Sequence, residues 1–244
     1  MAICTISDLH IKTPGDSGHL LLKKFLDHPQ VRSSKHIALL GDIFDLWVGD
    51  ISHKYESFKD VFDSLDILAR EGKKVYYFEG NHDLHLKNLE TKVQNIQYVR
   101  DYIVLNIESK AILLSHGDWF DLDDRVYYHY RRFIGSRGVA KVVLGVMGEK
   151  LINNIGEMAS KMSRSRNNQK YSFEASDEVR EKFRSLAYQA ARKYKVDIVV
   201  WGHSHVKDIY TLDGMTYINN GYAPFDKTFN YISAQGEPAQ IILV

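Results

Sequence analysis

The sequence has a single cysteine in 244 residues, Cys4, so the chain cannot form an internal disulfide. One cysteine inside an apolar run is typical of a protein from a reducing compartment. No stretch of about 18 uninterrupted apolar residues occurs, and such a stretch is what a membrane-spanning helix needs. The first ten residues also lack the basic and apolar regions of a signal peptide. We therefore expect a soluble cytoplasmic protein, with peripheral attachment to a membrane left open.

The chain also lacks an excess of charge of either sign. Its 32 basic and 31 acidic side chains give a formal net charge of +1, which provides no global attraction to nucleic acid. We expect no nucleic-acid partner, and any basic surface has to be local. With 44% hydrophobic residues the composition is that of an ordinary globular protein. The length suits one domain over residues 1–244 that carries an insertion.

Short apolar runs that end in polar residues recur along the chain. Each has the length of a buried strand and delivers chemically reactive side chains at its end. The predicted strands are residues 2–7, 36–40, 74–78, 111–114 and 197–201, with helical patterns at 20–27 and 58–70. The alternation favours an α/β core whose site loops gather along one edge of the sheet.

After residue 205 the pattern changes to short strands separated by tight turns. We predict strands at residues 209–212, 215–218, 229–233 and 240–244, the first two joined by an Asp213-Gly214 turn. The simplest arrangement places these strands in a second sheet that is stacked on the first.

Residues 121–175 interrupt the pattern because they predict helices. Their apolar residues follow helical spacing and form one stripe: Val139, Val142, Val143, Val146, Met147, Leu151, Ile155, Met158 and Met162. The stripe either packs on the core or belongs to a helical cap that covers the active site and receives a lipid chain. Ten basic against six acidic side chains in this segment suit a diphosphate with acyl chains or an anionic membrane surface, although a charged run is also compatible with a merely solvated face.

Seven side chains with metal-ligand chemistry follow the predicted strands: Asp8, His10, Asp42, Asn81, His116, His203 and His205. Imidazoles suit a borderline transition metal and carboxylates a harder one, so the mixture favours manganese, with iron or zinc as alternatives, over calcium. Seven ligands fit two ions better than one. Two divalent cations can polarise a phosphoryl oxygen and activate water for displacement at phosphorus.

Not every histidine belongs to this set. We assign six of the 11 histidines to ordinary surface or core positions, namely His19, His28, His36, His53, His85 and His129. The other five, His10, His82, His116, His203 and His205, lie in short motifs that follow predicted strands.

The motif series Asp8-x-His10, Gly41-Asp42-x-x-Asp45, Gly80-Asn81-His82-Asp83, Ser115-His116-Gly117 and Gly202-His203-Ser204-His205 resembles the calcineurin-like metallophosphoesterases over residues 8–205. The resemblance implies a four-layer α/β/β/α sandwich with a helical cap insertion. It also implies one metal on Asp8, His10, Asp42 and His205, and a second on Asp42, Asn81, His116 and His203. It makes Asp42 the bridging ligand and His82 the general acid that faces the phosphate. It further implies that Asp83 orients and charges His82, and that Asp45 supports a ligand histidine.

Three features resemble, more narrowly, the UDP-2,3-diacylglucosamine diphosphatases of bacterial lipid A synthesis. They are the stretch 41–50 with Phe44 and Trp47, the residues after His116-Gly117-Asp118, and the long insertion. This resemblance implies a nucleotide-sugar lipid substrate at the inner-membrane surface, cleaved to UMP and 2,3-diacylglucosamine 1-phosphate. The substrate contacts that it implies are Asn81, Tyr127, Tyr130 and Arg131. The chain departs at His82 from one enzyme of this family, which has arginine at the matching position, and keeps the generic Gly-Asn-His-Asp form.

Two other functions stay open on the sequence alone. The same chemistry could serve another nucleotide, a phosphoprotein or a nucleic acid, since superfamily membership does not choose a substrate. The chain could also be a binding scaffold of the same fold that has lost its activity. Every motif histidine is present, which argues against the scaffold. The oligomeric state is not predicted.

Overall fold

The computed structural model describes residues 1–49, 52–86, 89–121 and 173–243. Within these ranges the chain forms two large sheets and a two-stranded ribbon. In chain order the strands are β1 (Ile3–Ile6), β2 (His36–Leu39), β3 (Trp47–Val48), β4 (Lys74–Phe78), β5 (Asp83–Leu84), β6 (Ile96–Val99), β7 (Tyr102–Ile107), β8 (Lys110–Ser115), β9 (Ile198–Val200), β10 (Asp208–Leu212), β11 (Met215–Asn219), β12 (Thr228–Ile232) and β13 (Pro238–Ile242).

Helices connect the strands. Those in the described ranges are α1 (Ser17–Asp27), α2 (Pro29–Ser33), α3 (Ser52–Ser57), α4 (Lys59–Arg70), α5 (Leu89–Lys92), α6 (Phe173–Tyr194) and α7 (Ala223–Asp226). The carboxylate of Asp16 begins α1 by accepting a hydrogen bond from the backbone of His19 at 2.8 Å, which satisfies one of the free amides of the first turn. Pro29 prevents α1 from continuing and is the first residue of α2.

The first sheet has the strand order β13-β12-β1-β2-β4-β6, and β1, β2, β4 and β6 run parallel. The second sheet has the order β10-β11-β9-β8-β7, and its central strands β8, β9 and β11 are parallel. The short strands β3 and β5 form the ribbon beside the first sheet.

Alternation along the strands assigns apolar side chains to three cores. Ile112 and Leu114 of β8 pack between the two sheets, whereas Leu113 faces helix α6 and contacts the core around Phe183. Helices α1 and α4 cover the outer face of the first sheet. The order of layers is therefore helix, sheet, sheet, helix, which confirms the predicted four-layer α/β/β/α sandwich.

Two details of the predicted topology are wrong. The strands after residue 205 do not share a sheet, because β12 pairs antiparallel with β1 and extends the first sheet while β10 and β11 join the second. The site loops also come from both sheets and not from one edge. Local sequence patterns specify strands but not their partners. The pairing of residue 3 with residue 232 joins parts of the chain that are far apart in sequence, so no local pattern predicts it.

The predicted helical cap and its apolar stripe lie almost wholly outside the described residues, because residues 122–172 are not described. Residues 173–175 form the beginning of α6. No helix in the described ranges is long and apolar enough to cross a bilayer.

Candidate metal centre

The predicted metal ligands meet at one end of the sandwich. Asp8, Asp42 and Asn81 follow β1, β2 and β4 of the first sheet, and His116 and His203 follow β8 and β9 of the second. Because the strands within each set are parallel, their carboxyl ends lie on the same side, where α/β proteins place their sites.

Asp42 lies between two groups of donor atoms. Its Oδ2 is 3.8 Å from Nε2 of His10 and 3.6 Å from Nε2 of His116. Its Oδ1 accepts a hydrogen bond from the backbone of His82 at 2.9 Å. Burial raises the pKa of Asp42, but electrostatic interactions with His116, His82 and His10 lower it by more, so the net shift of the pKa is downward. The carboxylate is thus ionised, and it lies close enough to the donor atoms of both groups to bind a cation in either.

The first group consists of Asp8, His10, Asp42 and His205, whose donor atoms all lie within 4.8 Å of one another. The Nε2 atoms of His10 and His205 are 3.2 Å apart, and Nε2 of His205 is 3.2 Å from Oδ1 of Asp8. Burial lowers the pKa of His10, although Asp45 and Asp42 oppose the shift. A neutral imidazole is the form that binds a metal.

The second group is arranged around the amide oxygen of Asn81. This oxygen is 3.1 Å from Nε2 of His116 and 3.0 Å from Nδ1 of His203. On the other side of its ring, His116 donates from Nδ1 to the carbonyl of Leu40 at 2.8 Å. That bond fixes the tautomer of this buried histidine, so that Nε2 is unprotonated and has a lone pair available to a metal.

The donor chemistry fits divalent cations at both groups. A lone pair on Nε2 of His116 faces the amide oxygen of Asn81, and two acceptors at hydrogen-bond distance need a positive charge between them. Carboxylates, imidazoles and an amide oxygen are also the ligand types that manganese, iron and zinc share.

Five of the predicted ligands have left-handed backbone conformations. Their φ angles are 55° at Asp8, 47° at His10, 52° at Asp42, 64° at His203 and 57° at His205. Each such residue other than glycine costs on the order of 1 kcal/mol or more. In each case the chain turns sharply in the loop that follows a strand of the site.

Gly80 allows the loops after β2 and β4 to touch. A Cβ atom added there would overlap the backbone nitrogen and the carboxylate of Asp42. Glycine is therefore required for this close approach, which places Asn81 beside Asp42.

His82 lies at the edge of the first group. Its ring is 4.7 Å from that of His10, in an edge-on arrangement, and its Nδ1 donates to the backbone carbonyl of Asp45 at 2.6 Å. Nε2 is thereby the nitrogen available to a ligand. The carboxylate of Asp45 is 3.7 Å from Nδ1 of His10 and 3.8 Å from Nδ1 of His82, in line with its predicted supporting position.

The predicted contact between Asp83 and His82 is wrong. Asp83 is fully buried and accepts hydrogen bonds from the backbone of Asp42 at 3.0 Å, of Ile43 at 2.9 Å and of Gly80 at 2.8 Å, and from the hydroxyl of Tyr77 at 2.7 Å. Adjacent residues in the extended β5 segment point to opposite sides, so the carboxylate is directed away from the imidazole. Burial and the charge of Asp42 raise the pKa of Asp83 to about 6.

One lysine near the site was not singled out by the sequence. Lys54 of α3 is half-buried, and burial lowers its pKa while the carboxylates of Asp45 and Asp83 oppose the shift. It adds a positive charge close enough to interact with Asp45 and Asp83.

Sequence reasoning also missed the turn after β11. The amide of Asn220 donates to the backbone carbonyl of Ser7 at 3.2 Å, and the hydroxyl of Ser7 donates to Asp8 Oδ2 at 2.5 Å. Tyr222 then contacts His10 and His205 through its ring. The Asn-Asn-Gly turn was the only local signal for this element, and it carries no chemistry by itself.

The predicted substrate contacts Tyr127, Tyr130 and Arg131 lie outside the described residues. Asn81 is the one predicted substrate contact that the structure describes. It lies in the second group, next to His116 and His203.

Comparisons with known proteins agree with the geometry. The profile of the calcineurin-like phosphoesterases matches residues 1–207. Three similar proteins are named UDP-2,3-diacylglucosamine hydrolase. The one from Coxiella burnetii is 30% identical and aligns over 85% of this chain and 82% of its own. Those from Haemophilus influenzae and Neisseria gonorrhoeae are each 26% identical, with 87% and 89% of this chain and 86% and 90% of theirs aligned.

Among solved structures, an archaeal phosphodiesterase is similar in fold, with a TM-score of 0.51, 14% sequence identity and full coverage of both chains. The profile match covers most of the chain and includes all the motifs of the site. The chain therefore belongs to the calcineurin-like phosphoesterase family and is a metal-dependent hydrolase of phosphoesters.

Proposed function

We propose that this enzyme hydrolyses the diphosphate of UDP-2,3-diacylglucosamine and releases UMP and 2,3-diacylglucosamine 1-phosphate. The observation that carries the proposal is the similarity to relatives named for this substrate, which extends over at least 82% of each protein. The site supplies the chemistry, since its donor atoms converge on both sides of Asp42.

Two divalent cations complete the site, with manganese as the first choice and iron or zinc as alternatives. Asp8, His10, Asp42 and His205 would hold one, and Asp42, Asn81, His116 and His203 the other. When bound, such cations lower the pKa of water and stabilise negative charge on phosphoryl oxygens.

The reaction is an in-line displacement at the α-phosphorus of the nucleotide. The oxygen of a water molecule forms a bond to that phosphorus, and the bond to the bridging oxygen of the diphosphate breaks. The departing oxygen leaves with the lipid phosphate and takes a proton. The attacking water releases one of its protons to solvent. His82 would donate the proton to the departing oxygen from Nε2 when both of its ring nitrogens are protonated, because the Nδ1 proton is held by the carbonyl of Asp45.

His82 would give the chain a capacity that an arginine at this position, as in one enzyme of the resembled family, does not have. An arginine keeps its protons at every working pH and can only stabilise charge, whereas a histidine can also transfer a proton near neutrality. His82 is nearly buried, with 9% of its surface exposed, so the proton would be delivered from a ring that has little contact with bulk water.

The substrate's other parts are assigned by prediction. We infer that Tyr127, Tyr130 and Arg131 contact the diphosphate or the sugar, and that the apolar stripe of residues 121–175 receives the acyl chains. The basic side chains of that segment would hold the enzyme at the cytoplasmic face of the inner membrane.

The decisive experiment compares two substrates on manganese-loaded enzyme. UDP-2,3-diacylglucosamine should be cleaved with a much higher kcat/KM than bis(p-nitrophenyl) phosphate. In water enriched in ¹⁸O, the label should appear in UMP and not in the lipid phosphate, because attack is at the α-phosphorus. A preference for the aryl phosphodiester would contradict the lipid assignment, and label in the lipid phosphate would contradict the assigned phosphorus.

A further inference from the structure

Tyr222 covers the imidazoles of the first ligand group. Its ring centroid is 5.3 Å from that of His205, with 29° between the planes, and 5.8 Å from that of His10, with 47° between the planes. The ring is half-buried. Tyr222 therefore forms one wall of the site on the side of His10 and His205.

Hydrogen bonds on both sides fix the position of this wall. Asn220 is joined to Ser7 by its amide at 3.2 Å, and its side-chain oxygen is 3.0 Å from the hydroxyl of Ser7. After Tyr222, the amides of Phe225 and Asp226 donate to its carbonyl at 3.0 and 2.9 Å. The side chain is thus held in place before a ligand arrives, which lowers the entropic cost of a contact.

The hydroxyl of Tyr222 differs from those of the other tyrosines near the site. Tyr77 donates to Asp83 at 2.7 Å and Tyr98 to Glu79 at 2.5 Å, whereas the Tyr222 hydroxyl forms no hydrogen bond within the described ranges. A phenol keeps its proton at neutral pH. It is therefore a hydrogen-bond donor beside His10 and His205 that no described residue engages.

We propose that Tyr222 is a substrate-contacting residue whose hydroxyl donates a hydrogen bond to an anionic oxygen of the phosphoester. His82 and Tyr222 both flank His10, at 4.7 and 5.8 Å between ring centroids. The two side chains would thus offer donors to the reacting phosphate, which the carboxylates of Asp8 and Asp42 alone would repel. The contact is to the phosphoryl group, so it does not depend on the lipid substrate.

The test is the variant Tyr222→Phe, which keeps the ring on His205 and removes only the hydroxyl. Because this hydroxyl has no partner in the described ranges, its loss should leave the melting temperature unchanged. A hydrogen bond to a charged group predicts a loss of about tenfold or more. We expect that loss in kcat/KM for bis(p-nitrophenyl) phosphate and in the affinity for inorganic phosphate, measured by calorimetry on the manganese-loaded protein. The manganese content should not change.

The matched control is Tyr188→Phe. The hydroxyl of Tyr188 donates to Asp213 at 3.0 Å, beside the β10–β11 turn and at the opposite end of these strands from His205. This variant should bind phosphate and hydrolyse the diester as the wild type does.

Three results would overturn the proposal. One is wild-type phosphate affinity in Tyr222→Phe, and another is an equal loss in Tyr188→Phe. The third is loss of manganese from Tyr222→Phe, which would assign the hydroxyl to the metal site. The variant Tyr222→Leu separates the ring from the hydroxyl, since it should also loosen the packing on His205 and lower the affinity for one of the two cations. Failure of the lipid assay alone would contradict the proposed substrate and leave this inference intact.

Discussion

The carboxylate of Asp83 lies 3.0 Å from the backbone nitrogen of Asp42 and ties the loop after β4 to the loop after β2. Its remaining acceptor positions are filled by the amides of Ile43 and Gly80 and by the hydroxyl of Tyr77. With a longer bond from the amide of Phe44 at 3.5 Å, five donors converge on one buried carboxylate. Asp83 thereby fixes the positions of Asp42 and Asn81 relative to each other. This structural function is distinct from orienting His82.

We predict that Asp83→Asn destabilises the protein. An asparagine amide is a donor on one side, so at least one backbone N–H would face another donor with no acceptor. An unsatisfied buried donor costs about 1–3 kcal/mol, which corresponds to a fall of several degrees in melting temperature for a chain of this size. Thermal unfolding followed by circular dichroism measures the effect.

The control for this variant is Asp63→Asn, which removes an exposed carboxylate that pairs with Lys59 at 2.6 Å. Exposed pairs contribute little, so its melting temperature should match the wild type. Equal stability of Asp83→Asn and the wild type would contradict the bridging function of Asp83.

Removal of the bridging carboxylate should empty both metal positions. Asp42 Oδ2 faces His10 at 3.8 Å and His116 at 3.6 Å, so Asp42→Ala deprives each cation of a charged ligand. His205→Ala affects the first group only and should retain one cation. Metal content is measured by plasma mass spectrometry after dialysis. Two cations retained in Asp42→Ala would show that the carboxylate is not shared.

His82 should be needed for turnover and not for metal binding. We expect His82→Ala to lower kcat by a factor of about 10² or more, the usual contribution of a general acid, with two cations still bound. His36→Gln is the control, because His36 lies at the start of β2, at the opposite end from Asp42. Unchanged turnover in His82→Ala would rule out the acid assignment.

Cys4 should be unreactive in the folded protein. Burial raises the pKa of its thiol to about 12, and its sulfur contacts the hydroxyl of Ser34 at 3.3 Å. The thiolate is the reactive form, so Ellman's reagent at pH 8 should label no thiol in the native state and one per chain after denaturation. Rapid labelling of the native protein would contradict the burial of β1.

The placement of a candidate ligand could be predicted from the sequence mainly where the residue closely follows a strand. Asp42 and Asn81 come within three residues of the ends of β2 and β4, and glycines precede both, so a local pattern specifies the loop. His116 and His203 follow β8 and β9 in the same way. Parallel pairing then brings these ends together without further information.

The features of the site that the sequence did not predict depend on contacts between distant parts of the chain. Tyr222 reaches His10 across more than 200 residues, and Asn220 reaches Ser7 in the same way. Neither contact follows from local periodicity, because it requires β11 and β1 to end at the same place in different sheets. Asp83 was misassigned for a related reason. Its neighbour in sequence is His82, but the extended backbone turns the two side chains apart.

The left-handed backbone at Asp8, His10, Asp42, His203 and His205 bears on how such an enzyme can lose its activity. Glycine or asparagine would adopt these conformations at lower cost, so replacing a ligand can make the metal-free protein more stable than the wild type. Stability and activity are then opposed at the same five positions. A chain selected for folding alone would be expected to replace these candidate ligands, and we infer that bound cations would offset the cost of their backbone conformations.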